Sequence, residues 1–208
     1  MLSFVVLVAF QSKILNYEIS HQGKVIGTAK VLIKLTQDGG KRTDTKLTLT
    51  ENEAKLEMHT TQVWGTTGRP TLKIVLMFDA KGAETSRTRI DFHANDILVT
   101  VTKDGKLTKS TMAIPPKGEI RDLPEFWFLR DKPVKGVPYK YWTFNTSSLL
   151  WEQTTSTYVG AEAAKEKPGK HEHVSQVIGK RKLDMYLDEA GFPVNSVTND
   201  GTRIIAKS

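Results

Sequence analysis

Lys24-Val25-Ile26-Gly27-Thr28-Ala29-Lys30-Val31-Leu32-Ile33-Lys34-Leu35 is the stretch that decides the fold. On an extended chain Val25, Gly27, Ala29, Val31, Ile33 and Leu35 fall on one side, with Lys30 and Lys34 on the other. A period of two with charge on one side marks a strand that buries a single face. The small residues at its start imply a bend or the close approach of a neighbouring backbone. Upstream, Leu15, Tyr17 and Ile19 alternate in the same way, and Gln22-Gly23-Lys24 turns the chain. Downstream, Asp38-Gly39-Gly40 turns it again before Thr43, Thr45, Leu47 and Leu49; Ala54, Leu56 and Met58 follow Glu51-Asn52-Glu53.

The rhythm continues past the loop at Gly65 to Pro70. Leu72, Ile74, Leu76 and Phe78 alternate, but Val75 and Met77 make this strand apolar on both faces, which predicts a central strand covered on both sides. A strand ending at Ile90 and Phe92 comes next. Ile97, Val99 and Val101 then run into Asp104-Gly105, the strongest short hairpin signal in the chain, and Leu107 to Ile114 return. Phe78-Asp79-Ala80-Lys81-Gly82 and Leu187-Asp188-Glu189-Ala190-Gly191 share an apolar-Asp-x-x-Gly pattern. Each reads as a turn in which Asp accepts backbone hydrogen bonds and Gly takes a positive φ.

Alternation stops at Pro115-Pro116-Lys117-Gly118, and five prolines punctuate residues 115–138. Within this stretch Leu123 to Leu129 predicts one or two helical turns, with Pro124 near their start. Ala161-Glu162-Ala163-Ala164-Lys165 predicts a second short helix. Strands resume at Tyr139 and recur around Trp151, Val174 to Ile178, Leu183 to Leu187, Val194 to Val197 and Thr202 to Ile205. Short turns between strands imply antiparallel pairing, and a sheet of about thirteen strands must curl, split or close. The expected fold is therefore all-β: one large curved antiparallel sheet, as a half-barrel, an open barrel or two packed sheets, with one or two short helices. Residues 13–208 form one domain in this reading, with a Pro- and aromatic-rich cap at 115–138. Residues 1–12 are an apolar N-terminal segment too short to span a bilayer. They read either as the remnant of a signal peptide or as a first strand.

Composition narrows the chemistry. The 208 residues contain no cysteine, which excludes disulfides, thiolate metal sites and cysteine nucleophiles. The net charge is +7, which favours polyanionic partners. The basic residues are spread along the chain, however, with Lys180-Arg181-Lys182 the densest group, and nucleic-acid binding sites concentrate their charge. Contact with an anionic membrane surface stays open; nucleic acid is disfavoured.

No nucleophile elbow, zinc-protease helix, phosphate loop or dinucleotide fingerprint is present, so a non-enzymatic role is expected and no cofactor is called for. His171-Glu172-His173 would place two imidazoles on one face of a strand, but a third metal ligand is not visible nearby, and a solvated strand end is the preferred reading. Asp91, Glu125 and Glu152 could be imagined as parts of a glycosidase-like carboxylate pair, by neighbourhood only. A carboxylate-dependent hydrolase is the least favoured of the functions considered.

The most informative feature is aromatic. Phe126, Trp127, Phe128, Tyr139, Tyr141, Trp142, Phe144 and Trp151 crowd one short stretch and include three of the four tryptophans. Such a cluster is either a plug that fills the concave face of the sheet or the wall of an apolar pocket. On the second reading Phe126, Trp127, Phe128, Tyr141, Trp142, Phe144 and Trp151 are the ligand-binding residues.

Tyr17, Gly23-Lys24-Val25-Ile26-Gly27, the long ladder of amphipathic strands and the terminal Leu187-Asp188-x-x-Gly191-x-Pro193-Val194 together resemble a group of uncharacterised bacterial exported β-rich proteins, similar at a distance to the lipoprotein carriers LolA and LolB. The resemblance runs from about Ile14 to Ile205 and lies in rhythm and turns; the long helices of the carriers have no counterpart. It implies an extracytoplasmic half-barrel, periplasmic or secreted, whose concave apolar face holds acyl chains or a covering helix; a lipid-like ligand in the concavity is the function expected on this reading. The alternative is a structural or protein-interaction domain without a small ligand.

Overall fold

The computed structural model describes residues 12–51, 54–115, 117–121, 128–129, 131–165 and 167–207. The N-terminal apolar segment, up to residue 11, and most of the expected helix at Leu123 to Leu129 lie outside the described residues. Fifteen strands are formed: β1 Lys13–His21, β2 Lys24–Leu35, β3 Lys41–Glu51, β4 Ala54–Trp64, β5 Pro70–Phe78, β6 Glu84–Phe92, β7 Asp96–Lys103, β8 Lys106–Ala113, β9 Glu119–Ile120, β10 Pro138–Asn145, β11 Leu150–Ala163, β12 Lys170–Ile178, β13 Arg181–Leu187, β14 Pro193–Thr198 and β15 Thr202–Lys207. All belong to one sheet, in the order β8-β7-β6-β5-β4-β3-β2-β1-β15-β14-β13-β12-β11-β10-β9. The chain meanders outward from β1 to β8, and its second half meanders back until β15 pairs with β1.

Local chemistry sets the turns. Gln22-Gly23 and Asp104-Gly105 both have positive φ at both central residues, the geometry of the tight hairpin turn that matches the right-handed twist of paired strands. The two Asp-x-x-Gly loops are built alike. Asp79 Oδ1 accepts from the Lys81 and Ala83 amides and Asp188 Oδ1 from those of Ala190 and Phe192, all at 2.8–3.0 Å. Gly82 and Gly191 close them at φ 83° and 82°.

Three expectations are corrected. No helix occurs among the described residues; Ala161, Glu162 and Ala163 continue β11, pairing with Glu172, His171 and Lys170. Pairing with a neighbour outweighs the helical preference of a short Ala/Glu run. One pair of strands is parallel: β9 lies beside β10, Tyr141 opposite Glu119. A parallel pair needs a long connection, and residues 121–137 supply it, so the Pro-rich stretch is the crossover between these two strands. Finally, β5 is interior in the sheet, and among the described elements it packs on β4 and β6 rather than between two further layers. Lys73 and Val75 face inward, while Leu72, Ile74, Leu76 and Phe78 lie half-buried on the convex face.

The sheet curls until its ends meet through side chains. The edge strands β8 and β9 are not ladder-bonded to each other. Instead Phe144 and Trp151 pack against Ile90, Ile97 and Val99 of β6 and β7, and the Trp151 indole donates to the Ala113 carbonyl at 3.0 Å. A second cluster joins Phe128, from the crossover, to Tyr141, Val174, Met185 and Leu187 on the inner face of β10, β12 and β13.

Candidate functional site

The concave face encloses an apolar cavity of about 380 Å³. Period-two alternation builds it: Tyr17 of β1 stands beside Ala29 of β2, and Val31 and Ile33 continue along β2 toward Thr45 and Thr43 of β3. Met58, Gln62 and Trp64 carry the wall onto β4, and Leu183, Met185, Ser196 and Ile204 complete it from the C-terminal strands. The deep end is closed to solvent, since Tyr17, Ile33, Thr43, Gln62 and Trp64 are at most 5% exposed. Phe192 lies at the same cavity, with the Lys13 ammonium 4.0 Å from its ring centre while Lys13 pairs with Asp188 at 3.3 Å.

Two charged side chains line the cavity among the described residues, Lys73 and Arg181, and both are cationic. Lys73 sits directly opposite Gln62 in the β4–β5 register, and Gln62 is opposite Thr43 in the β3–β4 register. Thr43, Gln62 and Lys73 thus form a polar row across three strands in an otherwise apolar wall. The Gln62 Nε2 group is buried and finds no acceptor. Arg181 is exposed at the rim and has no ion-pair partner among the described residues.

A second hollow, about 390 Å³, lies at the seam between the ends of the sheet, against Thr67, Arg69, Glu119 and Arg121. Its polar groups are occupied by one another. Arg121 pairs with Glu119 at 2.8 Å and Asp131 at 3.5 Å and donates to the Thr67 carbonyl. Arg69 donates to the His93 carbonyl at 2.6 Å. The Tyr139 hydroxyl donates to Glu119; with the Arg121 charge, that bond holds the Glu119 carboxyl below its usual value of 4.5.

The aromatic residues singled out from the sequence divide between the two packed clusters. Phe128 and Tyr141 stand in one, 1% exposed each, and Phe144 and Trp151 in the other. The Trp142 indole donates to the Lys117 carbonyl at 2.6 Å. None of these five lines the apolar cavity, but Met185 touches both, so the Phe128 cluster backs one wall of it. Phe126 and Trp127 lie outside the described residues. Of the carboxylates considered, Asp91 pairs with Arg89 at 2.6 Å and Glu152 accepts from Asn145 at 2.8 Å; Glu125 is outside the described residues. His171 lies 3.0 Å from the Pro168 carbonyl, and His173 is held between Glu162 and Asp184 at 2.9 and 3.2 Å. Among the described residues no group of three such side chains is arranged to hold a metal ion.

Gln62 and Lys73 were not singled out in the sequence, and Arg181 was named there only within the basic group Lys180-Arg181-Lys182. One signal was there: a lysine inside Leu72-Lys73-Ile74-Val75 breaks an apolar run, and on a half-buried strand a charge in such a run marks either the wet face or a functional one. Only the register of β5 against β4 and β6 decides that Lys73 points inward, beside the fully buried Ile90.

No protein-family model and no curated protein matches the sequence. Among solved structures, the chain is similar to a β-barrel-like protein of domain of unknown function DUF1849 from Brucella abortus, with TM-score 0.64, 10% identity and 95% of each chain covered. A DUF1089 family protein from Pseudomonas aeruginosa aligns with TM-score 0.47 and 12% identity over 80% of this chain and 87% of that one. The first likeness establishes a shared β-barrel-like fold, and neither protein is described as a lipoprotein carrier.

Proposed function

We propose that this protein is a non-enzymatic binding module that holds an apolar or amphiphilic, lipid-like molecule in the concavity of its sheet. One observation carries the reading: the apolar cavity of about 380 Å³, closed at its deep end and open at its rim, between the inner faces of β1–β5 and β13–β15. Its size lies in the roughly 300–1,000 Å³ range of small-molecule sites, and its lining of apolar side chains with a few placed polar groups is typical of them. At about 0.8 kcal/mol per buried methylene, a chain of several carbons supplies useful affinity without any catalytic group. In this reading the aromatic segment braces the sheet, and the Phe128 cluster backs one wall of the cavity through Met185. An extracytoplasmic location, periplasmic or secreted, accords with such a carrier-like role and with the apolar N-terminal residues.

Native mass spectrometry of the purified protein is expected to show a bound amphiphile, or displacement of a fluorescent fatty acid by unlabelled lipid. Ala29→Phe, which fills the cavity from its β2 wall, is expected to abolish displacement while the circular dichroism spectrum is retained. Wild-type protein that neither carries lipid nor takes up the probe would leave the alternative, a structural or protein-interaction domain without a small ligand.

A further inference from the structure

We infer that the free edge of β8 is a docking site for an extended, acidic segment of a partner protein, which adds to the sheet as a further strand. The inference is independent of the binding reading above, since no β8 residue lines the apolar cavity.

The first ground is an open backbone ladder. β8 ends the sheet, and Lys106 to Thr111 are all exposed. The two-residue turn at Asp104-Gly105 has Lys103 and Lys106 as its flanking pair, and the flanking residues of such a turn exchange both backbone bonds. Bonded pairs then recur at every second residue. Thr108, Ser110 and Met112 therefore bond to β7, while the amides and carbonyls of Leu107, Lys109, Thr111 and Ala113 point away from the sheet. The Trp151 indole already takes the Ala113 carbonyl at 3.0 Å. The second ground is the lack of the usual guards. Edge strands are commonly cut short, bulged or interrupted by proline. At the opposite edge β9 is two residues long, whereas β8 runs for eight residues in unbroken register with β7 and contains no proline. The third ground is charge, which selects the occupant. Lys103, Lys106 and Lys109 have no ion-pair partner among the described residues. β8 carries no carboxylate, and Asp96 at the far end of β7 is held by His93 at 2.8 Å. Lys109 stands on the convex side beside Leu107, which is 61% exposed, and Lys103 and Lys106 stand on the concave side. Acidic side chains on either face of an added strand thus meet a cation. The same lysines turn away a second copy of this chain, which would bring like charge at the edge and a net charge of +7.

The probe is a short fluorescein-labelled peptide that alternates glutamate with valine, added to the full chain. Before it is added, the amides of Leu107, Lys109 and Thr111 are expected to exchange fast and those of Thr108, Ser110 and Met112 slowly. Slow exchange of the first set would show that the edge is already covered and would overturn the inference. With the peptide, its anisotropy is expected to rise and exchange at Leu107, Lys109 and Thr111 to slow by about tenfold or more, the mark of an added ladder. The same peptide N-methylated at alternate residues keeps its charge, loses ladder donors and is expected not to bind; equal binding would mean that charge alone attracts it and that no strand is added. Thr111→Pro removes one outward amide where an edge strand tolerates proline. It is expected to weaken uptake about tenfold, with an unchanged circular dichroism spectrum. Lys109→Glu alters only an exposed side chain; it is expected to weaken uptake by about the same factor and to make the protein prefer a lysine–valine peptide. If wild type takes up the lysine–valine peptide as well as the glutamate one, the acidic assignment is wrong. Protection of the same amides that grows with protein concentration in the absence of peptide would assign the edge to a second copy and overturn it too.

Discussion

At the scale of single residues, the inner face of β10–β12 is held by a buried hydrogen-bonded group. The Tyr141 hydroxyl lies 2.9 Å from Ser156 Oγ, and Gln176 Nε2 donates to it at 2.8 Å; Ser156 and Gln176 are fully buried. Tyr141→Phe leaves both partners short of a bond in a fully buried place and is expected to cost about 1–3 kcal/mol in urea unfolding. Phe128 rests over this region, 1% exposed, against Val174, Met185 and Leu187. Phe128→Ala is expected to cost about 3–5 kcal/mol. A loss under about 1 kcal/mol would mean that Phe128 covers the sheet loosely, as a lid would. That Phe128 and Tyr141 belong together was legible in the clustering of aromatics. That Ser156 and Gln176 complete the group was not, because alternation gives the face of a side chain and not its partner across 15 and 35 residues.

At the scale of elements, the strands and turns were the most readable part of the molecule. Period two and Gly/Asp/Asn turn chemistry act within a few residues, so β2, the Asp104-Gly105 hairpin and both Asp-x-x-Gly loops could be read without tertiary information. Gly27 shows how far such reading goes. The sequence suggests a close approach there, and the structure identifies the neighbour: a Cβ at Gly27 would stand 2.2 Å from the Thr48 carbonyl oxygen and 2.8 Å from Leu49 Cδ2. The β1 strand shifts register opposite this point, between Ile19 and Ser20. Gly27→Ala forces the β2 and β3 backbones apart and is expected to destabilise the protein by about 1–3 kcal/mol, with loss of amide protection concentrated in β2 and β3 by hydrogen exchange. Unchanged stability would show that the two strands can separate freely. The short helix read at Ala161 to Lys165 failed for the complementary reason: five residues of helical preference are worth less than the ladder β11 forms with β12.

At the scale of the whole molecule, the question is what keeps a fifteen-stranded sheet curled when its edges share no ladder. Two kinds of contact do so: apolar packing of Phe144 and Trp151 on β6 and β7, and the Arg121 group at the other side of the seam. The Arg121 side chain is 13% exposed and joins β9, the crossover and the β4–β5 loop. Arg121→Ala is expected to cost about 1.5–3 kcal/mol, the range for hydrogen bonds to charged groups, and to shift Trp fluorescence toward that of exposed indole. The molecule is also acid-sensitive, at the seam and away from it. Glu119 is held below 4.5, first by the Tyr139 hydroxyl and then by Arg121; Asp91 is held below 3.8 by Arg89; and Asp200 is pulled down to about 2, chiefly by the Thr198 hydroxyl. A carboxyl depressed in the folded state stabilises above its unfolded value and loses that contribution as pH falls through its folded one. Stability is therefore expected to be flat near neutrality and to fall from about pH 4.5 downward, with the Arg121→Ala protein losing less over that interval than wild type. By itself, the sequence determined that this chain is an all-β meander with one aromatic interruption, because side-chain alternation and turn chemistry are local. Only the tertiary structure decided that the interruption is the crossover beside β10, that the sheet closes on itself through side chains, and that the inner face of β1–β5 and β13–β15 encloses a cavity with Gln62 and Lys73 in its wall. Those features depend on register and curvature, which bring together residues more than a hundred positions apart, and no pattern along the chain records what a face meets when the sheet curls.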